Sequence, residues 1–184
     1  GCLHALVMPG VGPLTGAESG LLPHRVVAEM MPRFSTMGTF LLNVLGEGLI
    51  LSVFRSGEMI AKTHVDKEIF RRCLQDEARH VSYGVMQLKW YLDHHSDRAG
   101  AVEELHRFAD VGEQVILSAF TEAALVEPVA VLLGGGIDKI DHGMQGFTKL
   151  WTMFMEEYLQ RCERAGFDRR GRVKLPTVAP WGGR

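Results

Sequence analysis

The stretch Gln75-Asp76-Glu77-Ala78-Arg79-His80 decides the fold, together with Glu47 in the apolar segment Thr39-Phe40-Leu41-Leu42-Asn43-Val44-Leu45-Gly46-Glu47-Gly48-Leu49-Ile50-Leu51. On an α-helix each residue advances about 100°, so Glu77 and His80 stand roughly 60° apart, on one face and a turn from each other. A carboxylate and an imidazole so placed, with a second carboxylate offered by a neighbouring apolar helix, form half of the ligand set of a di-metal site in the core of a helical bundle. Glu47, Glu77 and His80 are the expected metal ligands.

Glu47 carries the most weight. An ionised carboxylate among Leu, Val, Ile and Phe loses hydration worth several kcal/mol unless a cation compensates it. No Lys or Arg occurs between Phe34 and Phe54, so the compensating charge comes from elsewhere. Two sources are open: an arginine on another helix, such as Arg79 or Arg72, or a metal ion shared with Glu77 and His80. Oxygen-rich sites with one imidazole per metal suit iron or manganese better than structural zinc. The Glu-x-x-His spacing alone is weak evidence: fourteen Glu and eight His give about 0.6 matches by chance in a chain of this length. A second match, Glu103 with His106, reads as structural, because carboxylates near a helix start suit the dipole and His106 borders an apolar stripe.

Outward from these stretches the pattern is helical. Residues 1–33 are rich in Gly and Pro and read as irregular, with a short helical piece from His24 to Met31. From Phe34 to Arg55 the chain is apolar almost all round, as in a helix buried on every side, and Ser56-Gly57 offers a stop. Thr63-His64-Val65-Asp66 matches a capping box and opens a second long helix to about Leu92. A third runs from Arg98 to Glu127, where Pro128 interrupts it. Gly134-Gly135-Gly136 is a loop, and a fourth helix over 137–164 carries the aromatic stripe Phe147, Trp151, Phe154 and Tyr158, which reads as core. Residues 167–184, basic and rich in Gly and Pro, read as an extended, mobile tail. Nothing alternates with period two for long, so the expected class is all-α.

Composition bounds the rest. At 184 residues, one domain with a substantial core is expected. A net charge of −2 gives no electrostatic reason to expect nucleic acid or an acidic membrane surface. Cys2, Cys73 and Cys162 are odd in number and widely spaced, which fits a reducing cytoplasm better than a disulfide framework. Neither of the two longest apolar windows is a clean run of about 20 residues, so no membrane span is expected.

Gly46-Glu47-Gly48-Leu49, followed by Asp76-Glu77-Ala78-Arg79-His80-Val81-Ser82-Tyr83-Gly84, resembles the second half of the ferritin-like di-iron carboxylate proteins, above all the bacterial oxygenase and oxidase branches. The resemblance covers Phe34 to Leu92, and the helix end Arg161 to Gly166 loosely. It implies a ferritin-like helical bundle over residues 34–166, with two iron ions, or iron and manganese, as cofactor. It implies that Glu47 and Glu77 bridge or bind the metals and that His80 binds one of them. Asp76 would accept a hydrogen bond from a ligand histidine, and Arg79 would pair with Asp76 at i,i+3. Cys73 and Tyr83, one turn either side of the motif, would line a substrate cavity or serve as small and aromatic packing.

Two departures from that family shape the expectation. Its first Glu and first Glu-x-x-His are lacking here, since Glu18 and Glu29 have no His three residues on. The arylamine N-oxygenase branch adds a histidine ligand where this chain has Cys73. Gly1 is not an initiator Met, so the chain is expected to be part of a longer protein, the alternative being two copies that each supply Glu47, Glu77 and His80 in a homodimer. The implied activity is reduction of O2 at the metals with oxidation of an organic substrate, the electron donor being unspecified. Ferritin-type iron storage and a metal-free helical interaction module are the alternatives.

Overall fold

The computed structural model describes residues 35–179, and the expectations for residues 1–34 and for the last five residues lie outside it. The described chain is an all-α helical bundle: α1 (Ser35–Ile60), α2 (His64–His94), α3 (Arg98–Thr121), α4 (Ala123–Gly134) and α5 (Ile140–Ala165), with a 3-10 turn at Ile137–Lys139. No strand occurs among the described residues. α1 packs most extensively on α2, and α4 on α5; α1 also meets α3 and α5, which makes it the central helix.

The helix starts follow from local chemistry. Thr63 accepts the N–H of Asp66 at 3.1 Å, the expected helix cap, and its hydroxyl donates to the Asp66 carboxylate at 2.7 Å. Asp97 accepts the N–H of Gly100 at 2.9 Å and opens α3. The boundaries differ from expectation in two places. α1 runs through Ser56-Gly57 to Ile60, because Gly57 serves a close approach instead of a stop: a Cβ there would lie 2.5 Å from the Phe70 ring of α2. The third helix ends at Thr121, and Pro128 lies inside the separate helix α4, bent 69° from α3. The bend folds α4 back against α5, where the two backbones nearly touch at Gly143 and Ala130.

α5 supplies the core. Phe147, Trp151, Phe154, Tyr158 and Cys162, all 2% exposed or less, pack with Phe40 and Leu45 of α1, Leu88 and Leu92 of α2, and Leu105, Ala109 and Phe120 of α3. Each fully buried large side chain contributes about 1.5–3 kcal/mol. The rings meet at angles, Phe40 with Tyr158 at 6.4 Å and Phe120 with Trp151 at 5.3 Å between centroids.

One expectation is corrected. Residues 167–179 have no regular structure, yet they are not a loose tail: Phe167, Arg169, Leu175 and Ala179 are buried, and Trp151 Nε1 donates to the Pro176 carbonyl at 2.8 Å. By length and composition α1 reaches the threshold of a membrane span, with a mean hydropathy of 1.6, although 44% of that window is buried in the protein. A central core helix meets the same test, since burial against neighbours and burial in lipid select the same residues.

Candidate metal centre

α1 and α2 lie side by side and bring together residues thirty positions apart. His80 Nδ1 stands 3.5 Å from Glu47 Oε1 and 3.4 Å from Glu77 Oε2. One donor atom from each of the three residues lies within 4.8 Å of the other two. Around them the backbone of α1 is unusual: Phe40–Gly46 is a π-helical stretch, closed by a bond from the Glu47 N–H to the Leu42 carbonyl five residues back. Such turns are rare and concentrate at functional sites. The buried residues Thr36, Phe40, Val44, Gly48, Ser52 and Ser56 recur every four positions. At 3.6 residues per turn that stripe would wind away from the core, and the wider π turn takes up part of the excess.

The remaining contacts of Glu47 define its role. Asn43 Nδ2 donates to Glu47 Oε2 at 2.7 Å, which leaves Oε1 aimed at His80. The arginines proposed from sequence as its partners are engaged elsewhere: Arg79 donates to Asp76, and Arg72 donates to Glu68 at 3.0 Å. Glu77 Oε2 is buried and has no hydrogen-bond partner among the described residues, since its approach to His80 lacks the geometry of one. A buried carboxylate oxygen without a donor costs about 1–3 kcal/mol or more. Two carboxylate oxygens and an imidazole nitrogen, one of them otherwise unsatisfied, fit a hard or borderline divalent cation.

The other sequence candidates fall into place around this cluster. Asp76, expected to meet a ligand histidine, accepts from Arg79 as the i,i+3 spacing predicts. Cys73 is half-buried and a free thiol. Tyr83 is 58% exposed, so it is not core packing. A groove of about 560 Å³ lies at the far end of α1, lined by Gly57, Ile60 and Lys62 of α1 and its end and by Leu132 to Gly136, and none of the three ligands lines it. The second Glu-x-x-His is structural, as expected: His106 is buried, and Glu103 pairs with Arg172 at 2.8 Å.

The cluster opens outward. His80 is 55% exposed at its side chain, against 29% for Glu47 and 23% for Glu77. Val65, Ile69, Tyr83 and Trp90, all more than half exposed, recur at helical spacing along the same face of α2. Asn43, which orients Glu47, was missed from sequence although it lies one turn before it, where helical side chains meet. Arg161 was also missed, because its partners on α1 lie 113 and 117 residues away.

No family model, curated protein or solved structure matches this chain.

Proposed function

We propose that Glu47, Glu77 and His80 are half of a di-metal carboxylate site of the ferritin-like type, holding iron, or iron with manganese, in a protein that reduces O2 and oxidises an organic substrate. The carrying observation is the convergence of three donor atoms on one point, with Glu77 Oε2 left without any other partner. Bound there, the metals supply the electrons and the Lewis acidity that O2 chemistry needs. Glu47 and Glu77 hold the cations by charge, and His80 presents Nδ1 between them. Asn43 fixes the tilt of the Glu47 carboxylate from the side away from His80.

Charge explains why the site is a half. Two carboxylates neutralise one divalent ion, so a two-ion centre needs a second set of the same kind. Exposed apolar side chains along the face of α2 that carries His80 support that completion by a second copy of the chain or by another segment.

Elemental analysis across the peak of a sizing column, after anaerobic loading with ferrous iron, tests the proposal. The expected result is about one iron per chain in the species that completes the site, abolished by Glu47→Ala, in keeping with ligand-dependent metal affinity. A Glu47→Ala variant that keeps its iron overturns it and leaves the cluster as an ion-paired surface feature, whereas an iron-free wild-type protein overturns completion by a second copy and leaves another segment to complete the site.

A further inference from the structure

Arg161 lies on α5 and is 2% exposed. Its Nη1 donates to the Val44 carbonyl at 3.2 Å, and its Nη2 donates to the Gly48 carbonyl at 3.1 Å and to Glu157 Oε2 at 3.0 Å. Burial pushes its guanidinium below the usual arginine value, while the charge of Glu157 and the hydrogen bond to it act the other way. Glu157 in turn accepts from Arg55 of α1. A buried arginine that gives two of its donors to backbone carbonyls is costly unless those carbonyls need it.

They do need it. The two carbonyls bracket Glu47, and Val44 belongs to the π-helical stretch, where the regular i→i−4 ladder is broken. Gly48 makes the contact possible, since a Cβ on it would stand 1.8 Å from Arg161 Nη1. Its backbone is ordinary right-handed helix and does not itself call for glycine. Glycine in a helix costs about 1 kcal/mol relative to alanine. At position 48 that cost secures the guanidinium.

We propose that Arg161 is a positioning residue for the carboxylate of Glu47: it clamps the backbone on both sides of Glu47, holds the π turn open, and so directs Oε1 towards His80 and Glu77. The inference rests on the metal-binding reading above, and it extends the site to a second layer on α5 that reaches Glu47 only through the main chain. Outer partners that orient a ligand change metal affinity about 10–100-fold when removed.

The test uses cobalt(II) as probe, with affinity from titration and ligand geometry from its visible absorption, on Arg161→Gln, Arg161→Lys and Gly48→Ala. Arg161→Gln and Gly48→Ala are expected to weaken cobalt binding about tenfold or more and to change the spectrum. Arg161→Lys is expected to recover part of the loss, and in a Glu47→Ala background Arg161→Gln is expected to have no further effect. Hydrogen–deuterium exchange over residues 43–49, measured without metal, is expected to rise in both variants while residues 101–109 of α3 stay protected, which separates loosening of this turn from general unfolding. Stability supplies a third readout: Gly48→Ala is expected to destabilise the wild type but not the Arg161→Gln protein.

Unchanged cobalt affinity and spectrum in Arg161→Gln overturns the positioning role, as does an equal loss with Glu47 already removed. Should the wild type take up no cobalt, this chain alone does not complete the site, and the exchange of residues 43–49 then decides whether Arg161 holds this turn.

Discussion

Arg169 presents the side of its guanidinium to Glu113 in the interior, Nε to Oε1 at 3.0 Å and Nη2 to Oε2 at 2.9 Å, with both side chains at 0% exposure. Glu113 also accepts from Tyr158 at 2.6 Å, and Arg169 Nη2 also reaches Asp110 at 2.7 Å. Burial works against the Arg169 charge, but its hydrogen bonds to Glu113 and Asp110 prevail and hold the guanidinium above the usual arginine value. Burial, with the Glu113 charge, pushes the Tyr158 phenol well up, so it remains a donor. This cluster ties residues 167–179 to α3 and α5.

Removing one member of that pair leaves the other charged and dry. Arg169→Ala is expected to destabilise the fold by about 3–5 kcal/mol, the usual cost of breaking a buried ion pair. Urea unfolding followed by circular dichroism measures it. A loss under about 1 kcal/mol would mean that residues 167–179 are not anchored as described.

Glu77 sets stability against binding. Its Oε2 lacks a donor, so Glu77→Gln removes a buried charge whose partner would be the metal. The metal-free variant is expected to melt at the same temperature as the wild type or higher, while iron uptake falls at least tenfold, the trade expected of a functional site. Calorimetry and elemental analysis on the same preparation check both halves.

His106 makes stability depend on pH. Burial first, then the charges of Arg172 and Arg169, hold its imidazole below the ordinary histidine value. Arg169 Nη1 can only donate, and it stands 3.1 Å from His106 Nδ1, so that nitrogen carries no proton in the fold. A folded value below the unfolded one means that the unfolded chain takes up the proton first, from about pH 6.5 downwards. The contribution is complete above that pH and is lost as the solution is acidified, until the folded value is reached. Urea midpoints between about pH 8 and pH 5 are expected to fall in this way. His106→Gln is expected to flatten the upper part of the decline.

The crossing of α4 and α5 tolerates no side chain at position 143. A Cβ there would stand 1.8 Å from the Ala130 carbonyl oxygen, backbone against backbone. Gly143→Ala is expected to cost about 1–3 kcal/mol through overpacking, despite the better helix propensity of alanine. Thermal melting shows the sign: a stabilised variant would mean that the two helices are not this close.

The sequence by itself determined the all-α class, the helix cap at Thr63, the aromatic core stripe on α5 and which three side chains, Glu47, Glu77 and His80, would stand together. Each is local: a period, a cap or a spacing along one helix, or a charge stranded in an apolar run. Only the tertiary structure decided that Gly57 is a packing contact and not a stop, that the third helix turns at Glu122 and not at Pro128, and that residues 167–179 are clamped by Arg169. Arg169 bonds Glu113 across 56 residues, and Arg161 bonds Gly48 across 113. Sequence periodicity carries no signal for such pairs, because they form only where the packing of whole helices brings distant backbone and charge together.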